Sequence, residues 1–298
     1  GGGLRSNPMP PRADTPSPPA LITLTTDFGE GSRYVAVMKG VIYSINPAAT
    51  IVDVTHAVPP QDIAAGARVL REAVLWFPAG TIHVVVVDPG VGGARQVVCC
   101  EAGEHRIVCP NNGLLTFLAA AEMPLKLWSV ENERFRLPAV SATFHGRDIM
   151  APAAAHLSRA TPPHAFGSPV PEPVLLTQPR PVRKTVAGEP GGQEGTPDQQ
   201  EAPVAQRVEG EVIEVDSFGN LITNISEPML EACPRDESVL VGCDGHETLG
   251  IWRTYSDQPE MTLIALVGSS GELELAIVND SAKMMLGVGV GAKVTVKW

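Results

Sequence analysis

Three loops in the first half of the chain carry ionisable side chains where a buried segment gives way to a turn. They are Asp27 in Thr26-Asp27-Phe28-Gly29, Asp88 with Arg95 seven residues on, and His145, Arg147 and Asp148 in Phe144-His145-Gly146-Arg147-Asp148. A carboxylate, a guanidinium and an imidazole brought to one point can hold a water molecule and accept its proton. Each residue alone also fits a plainer role. Asp88 can cap its own turn, His145 or Asp148 can cap the helix that follows, and Arg147 can pair with Asp148. His56, closing Asp53-Val54-Thr55-His56, reads as structural rather than catalytic. Asp27, Asp53, Asp88 and a histidine offer ligands to a divalent ion, but no local ligand spacing supports a metal site and none is expected. The glycines of Gly90-Val91-Gly92-Gly93 have no lysine after them and match no nucleotide-binding pattern, so they make a weak phosphate cradle.

Whether these loops meet depends on the elements between them. Ile82-His83-Val84-Val85-Val86-Val87 has four consecutive β-branched valines, which suit a strand buried on both faces of a parallel sheet. Pro89 and Gly90 stop it. Residues 21–26 read as a first strand and 51–54 as a second. Residues 34–45 carry Val37, Val41 and Ile45 at helical spacing, and 62–77 form a second helical pattern. The β-α-β-α-β order implies right-handed crossovers, which bring successive strand ends to one edge, where ligands bind in open α/β sheets. Residues 97–101 and 106–109 read as paired strands around Gly103. Residues 114–121, after Pro110-Asn111-Asn112-Gly113, and 149–158, with Pro152 in the first turn, read as helices.

Residues 1–20 read as a disordered leader. Proline-rich residues 166–206 read as a linker with a mobile insertion over 187–203. Short strands then follow at 209–215, 238–241, 262–267, 272–278 and 293–296, with one helical piece near 228–232. The expected fold is therefore α/β: an N-terminal α/β domain (21–165) with a mainly parallel central sheet, then a small C-terminal all-β, barrel-like domain (207–298). In the second domain, Asp216-Ser217-Phe218-Gly219-Asn220 makes a turn. Phe218 can stack there on a flat ring beside Asn220, which offers a donor and an acceptor, or it can sit in the core. Ser269-Ser270-Gly271 makes another turn, bearing hydroxyls and backbone amides.

A net charge of −11 over 298 residues leaves no basic stripe for nucleic acid. No apolar run approaches the roughly 20 residues of a membrane helix. The five cysteines are odd in number and hold no CxxC pair, which argues against a disulfide framework or zinc site and for a reducing cytoplasm.

Taken in order, Thr26-Asp27-Phe28-Gly29, Asp53-Val54-Thr55-His56, Asp88-Pro89-Gly90-Val91-Gly92, Pro110-Asn111-Asn112-Gly113, Phe144-His145-Gly146-Arg147-Asp148 and Phe218-Gly219-Asn220-Leu221 resemble the S-adenosylmethionine hydroxide adenosyltransferase family, related to the fluorinases and chlorinases. The resemblance implies hydrolysis of S-adenosylmethionine to adenosine and L-methionine, without metal or cofactor. It implies a homotrimer with the ligand between the first domain of one subunit and the second domain of its neighbour. The family's water-holding triad falls on Asp88, Arg95 and His145. Ribose contact falls on Asp27, further substrate contact on Asn112, adenine recognition on Phe218 and Asn220, and the methionine end on Asp216 and Ser269. Where family members often carry an acidic residue this chain has Ser32, which offers that end a hydrogen bond with less electrostatic attraction. A binder of adenosine or S-adenosylmethionine without turnover, and a halide-dependent transferase, are the competing classes.

Overall fold

The computed structural model describes residues 20–187 and 204–298. The expected leader up to residue 19, and the insertion from residue 188 to 203, lie outside the described residues. The chain divides into two compact units, one ending at Thr177 and the other beginning at Gln178.

The first unit runs β1 (Leu21–Thr26), α1 (Arg33–Ile45), β2 (Thr50–Thr55), α2 (Ile63–Trp76), β3 (Ile82–Val86), β4 (Val97–Ala102), β5 (His105–Pro110), α3 (Thr116–Ala120), β6 (Leu125–Ser129), α4 (Ala151–Leu157) and β7 (Pro169–Val170). Its sheet has the order β2-β1-β3-β5-β4-β6-β7. Pairing is parallel from β2 to β5 and antiparallel from β5 through β4 and β6 to β7. The sheet is thus mixed rather than mainly parallel. The reason is local: the tight turn at Gly103-Glu104 between β4 and β5 can close only an antiparallel pair, because a parallel one needs a long crossover.

Every residue of β3 is buried, as its valines require. Its side chains alternate between two cores. Val84 and Val86 pack with Met38, Ile42 and α4 on one face, while Val85 and Val87 pack with Leu70 and Leu118 on the other. The helix α1 buries Val35, Met38 and Ile42, whereas Val37 is 44% exposed, so the core face sits slightly round from the expected stripe. The helix expected from residue 149 starts earlier, with a π-helical turn at Gly146–Met150 that leads into α4. Such turns recur at functional sites.

The second unit comprises β8 (Val182–Ala187), β9 (Val204–Val215), β10 (Leu221–Ser226), β11 (Leu240–Cys243), β12 (His246–Leu249), β13 (Leu263–Val267), β14 (Glu272–Ile277), α5 (Ala282–Leu286) and β15 (Lys293–Lys297). Its antiparallel sheet has the order β12-β11-β15-β9-β10-β14-β13, with β8 also on β9. The Thr248 hydroxyl donates to the Leu263 carbonyl at 2.6 Å, tying β12 to β13, so the sheet curls into a nearly closed barrel. Of residues 166–206, 169–170 belong to the first sheet, and 182–187 and 204–206 to the second.

Candidate active site

Strands β1 and β3 are parallel neighbours with Thr26 opposite Val86, so their carboxyl ends lie together. Asp27 and Asp88 follow those ends. The loop after β3 doubles back through turns in which Val91 N donates to the Asp88 carbonyl (3.2 Å) and Gly93 N to the Gly90 carbonyl (3.0 Å). This returns Arg95 to Asp88. Its Nε donates to both carboxylate oxygens at 2.9 and 3.0 Å, and its Nη2 donates to Oδ2. The two side chains are only 4% (Asp88) and 12% (Arg95) exposed. A fork-to-carboxylate pair of this kind fixes both partners in orientation.

The same Arg95 Nη2 donates to His145 Nδ1 at 2.8 Å. Burial, and then the Arg95 charge, hold the His145 imidazole below its ordinary pKa. The ring is therefore neutral near pH 7. An arginine can only donate, so Nδ1 carries the lone pair and Nε2 carries the hydrogen. Carboxylate, guanidinium and imidazole thus form one chain of hydrogen bonds, drawn from residues 57 positions apart between Asp88 and His145.

Gly92 holds the two loops together. Its φ is +76°, and a Cβ there would lie 2.2 Å from the Ala142 carbonyl oxygen. Only glycine permits this approach. Gly92→Ala is expected to lose about 1–3 kcal/mol of stability from the backbone conformation alone, with more from the clash, and to separate Arg95 from His145. Thermal melting measured beside turnover checks this; an unchanged melting curve would count against it.

Asp88 and His145 line a cleft of about 260 Å3 together with Asp27, Phe28 and Phe144. Phe28, Phe144 and Tyr34 meet edge-to-face, with centroids 5.2 to 5.9 Å apart. Asp27 Oδ2 accepts from the Gln61 backbone N–H at 2.8 Å. The remaining sequence candidates take other positions. Arg147 pairs with the fully buried Asp148, which also accepts from Ser141 N (2.8 Å), so this pair braces the loop carrying His145. His56 is buried, with Nδ1 3.0 Å from the Thr26 hydroxyl and Nε2 3.1 Å from Asp53, as a structural histidine would be. Ser32 is the N-cap of α1 and accepts from Tyr34 N at 3.3 Å. Asn112 donates to the Val87 carbonyl at 2.9 Å, beneath Asp88, and its Oδ1 is buried without a protein partner. Glu30 was missed by sequence reasoning, having no motif of its own; its Oε1 accepts from His56 N (3.0 Å) and ties down the loop after Asp27. Among the described residues, no three His, Cys, Asp or Glu side chains cluster to hold a metal ion.

In the second unit, the Asp216 carboxylate is consumed by its own turn. It accepts from Phe218 N (2.9 Å), Asn220 N (2.8 Å) and Asn220 Nδ2 (2.9 Å). That turn lifts Phe218 to 78% exposure, which rules out the core position. Phe218 and Asn220 line a cavity of about 520 Å3 with Tyr255, whose hydroxyl donates to the buried carboxylate of Glu274. Sequence reasoning missed Tyr255, because nothing in Arg253-Thr254-Tyr255-Ser256 marks it. Ser269 is exposed in the turn between β13 and β14 and is not among the residues lining this cavity.

The family model for the SAM hydroxide adenosyltransferase N-terminal domain matches residues 22–167, and that for the C-terminal domain matches residues 210–295. A Thermus thermophilus protein named (R)-S-adenosyl-L-methionine hydrolase is 36% identical over 276 residues, covering 90% of this chain and 96% of that protein. One of the same name from Salinispora tropica is also 36% identical, over 94% of this chain and 98% of its own length. A fluorinase from an Actinoplanes species is more distant, at 27% identity over 235 residues. Among solved structures, an uncharacterized conserved protein from Thermotoga maritima superposes with a TM-score of 0.79 at 33% identity, covering 92% of this chain and 99% of that one.

Proposed function

This chain belongs to the SAM hydroxide adenosyltransferase family, and from that premise we propose that it hydrolyses S-adenosylmethionine to adenosine and L-methionine. The observation that carries the reading is the single hydrogen-bonded chain of Asp88, Arg95 and His145 on the wall of a cleft that also holds Asp27. The water oxygen bonds to the 5′ carbon, the carbon–sulfur bond breaks, and its electron pair goes to the sulfonium, leaving a neutral thioether. Such a leaving group needs no protonation and no metal, so the proposal includes no cofactor.

The work left to the protein is to align one water behind the carbon and accept its proton. The hydrogen on His145 Nε2 gives that nitrogen a donor role toward one lone pair of the water. The proton acceptor is then the Asp88 carboxylate, whose orientation Arg95 fixes while staying charged. The bond from Arg95 to His145 Nδ1 supports Asp88 alone in that role. In this reading Asp27 meets the ribose and Phe218 and Asn220 the adenine. Ser32, Asn112 and Asp216 contribute through the loops they cap or brace, and Ser269 meets the methionine end.

Incubating the purified protein with S-adenosylmethionine, with and without a chelator, and chromatographing the products tests this. Adenosine in both arms supports the proposal; tight binding without adenosine would favour the binder instead. The pH profile is a further check. Because the imidazole pKa lies below its ordinary value of about 6.5, turnover should hold through that pH and fall only in more acid solution, where protonated Nδ1 can no longer accept from Arg95. An acid limb centred above 6.5 would sink the assignment.

The proposal extends to assembly as a homotrimer, and sedimentation of the purified protein at the mass of three chains is expected; a monomer would contradict it. All five cysteines are free and buried, which supports a reducing, cytoplasmic setting.

A further inference from the structure

Two cavities flank the triad. The front cleft, of about 260 Å3, is bordered by Asp88 and His145. A second, of about 210 Å3, lies against Arg95 and His145 and is lined further by Gln96, Glu131, Arg136 and Val140. Only His145 borders both.

The rear cavity is polar. Arg136 donates through Nη2 to the Val130 carbonyl, while its buried Nε–H has no protein acceptor. Glu131 accepts from the hydroxyls of Ser129 and Ser168. A buried donor left unpaired is costly, and at roughly 30 Å3 per molecule the space has room for several waters to pair with it. Gly93, Gln96, Glu131 and Val140 are exposed, so the cavity opens to solvent.

We propose that this rear cavity is the water route to the triad: water reaches Arg95 and His145 from behind while substrate covers the front cleft. The inference rests on the hydrolysis reading above. Each turnover consumes one water and releases one proton. The oxygen bonds to the 5′ carbon, the carbon–sulfur pair leaves with sulfur, and the proton passes to Asp88, which borders the front cleft and returns it to solvent there once the products leave. Bound substrate covers the front cleft, so exchange of the attacking water needs a second side. The shared His145 edge and the solvent-facing mouth at Val140 and Gln96 supply it.

An isotope-trapping experiment tests the route independently of which step limits turnover. Enzyme is saturated with substrate carrying heavy carbon in its ribose, in ordinary water. It is then diluted rapidly into water enriched in heavy oxygen, with a large excess of unlabelled substrate. Mass spectrometry reads the 5′ oxygen of the heavy-carbon adenosine. Wild-type protein is expected to insert heavy oxygen, because water exchanges behind bound substrate. Val140→Trp and Gln96→Trp narrow the mouth at exposed positions outside the triad, and the adenosine they form from prebound substrate should lose most of that heavy oxygen. Ordinary oxygen from the wild type would overturn the route, as would full heavy-oxygen incorporation by both variants. Absence of adenosine altogether would overturn the hydrolysis reading itself, and the route with it.

Discussion

Asp88→Asn is expected to lower turnover by about a thousandfold, while the protein still folds and still binds adenosine. The asparagine amide has nearly the shape of the carboxylate. It cannot accept a proton from water, and it presents an N–H where Arg95 now donates through Nε and Nη2. Two effects therefore add: the acceptor is lost, and Arg95, only 12% exposed, loses its counter-charge. A displaced guanidinium also releases His145 Nδ1, so the imidazole loses its fixed orientation. Single-turnover measurement of adenosine, with calorimetric titration of adenosine as a folding control, separates these outcomes. A variant that turns over at the parental rate would remove Asp88 from the chemistry.

His83 sets a second large effect, on stability rather than rate. It lies fully buried on β3, with Nδ1 2.8 Å from the Thr23 hydroxyl and Nε2 3.2 Å from His105 Nδ1. Burial, and then His105, push its pKa down to about 3. In the unfolded chain the same ring titrates at about 6.5. Between those values the unfolded state binds a proton that the folded state refuses, so acid favours unfolding. The contribution is fully present above pH 6.5 and is lost as pH falls toward 3. At about 1.4 kcal/mol per pH unit the gap amounts to about 5 kcal/mol, comparable with the whole stability of many domains. Urea melts at neutral pH and near pH 4 should show the loss. His83→Gln, which keeps a partner for Thr23, should flatten the pH dependence even if it costs some stability at neutral pH. An undiminished slope in that variant would assign the acid sensitivity to other groups.

Much of the fold was legible because its signals are local. The valines of β3, the turns at Pro89-Gly90 and Gly103, and the helical spacing after β1 and β2 each depend on residues a few positions apart. The change from alternating helices and strands to short strands likewise marks the second domain. The mixed pairing of the first sheet was less plain, since the direction of β4 follows from the length of one turn rather than from its composition.

The residue types of the candidate site were also present in the sequence, and its chemistry followed from them: a carboxylate, a guanidinium and an imidazole at strand and helix ends. What the sequence alone could not determine was which of several equivalent groups meet. Arg95 joins Asp88 and His145, while Arg147, two residues from His145, turns to Asp148 instead. His56 and His145 both follow secondary elements, yet the first packs under Thr26 and the second reaches the cleft. Asp216 looks available in the sequence, but its carboxylate is spent on the backbone of its own turn. Local spacing fixes where a side chain leaves the backbone. Its partner is chosen by strand register and by the close approach of loops dozens of residues apart, as at Gly92 and Ala142, and those exist only once the sheet has formed.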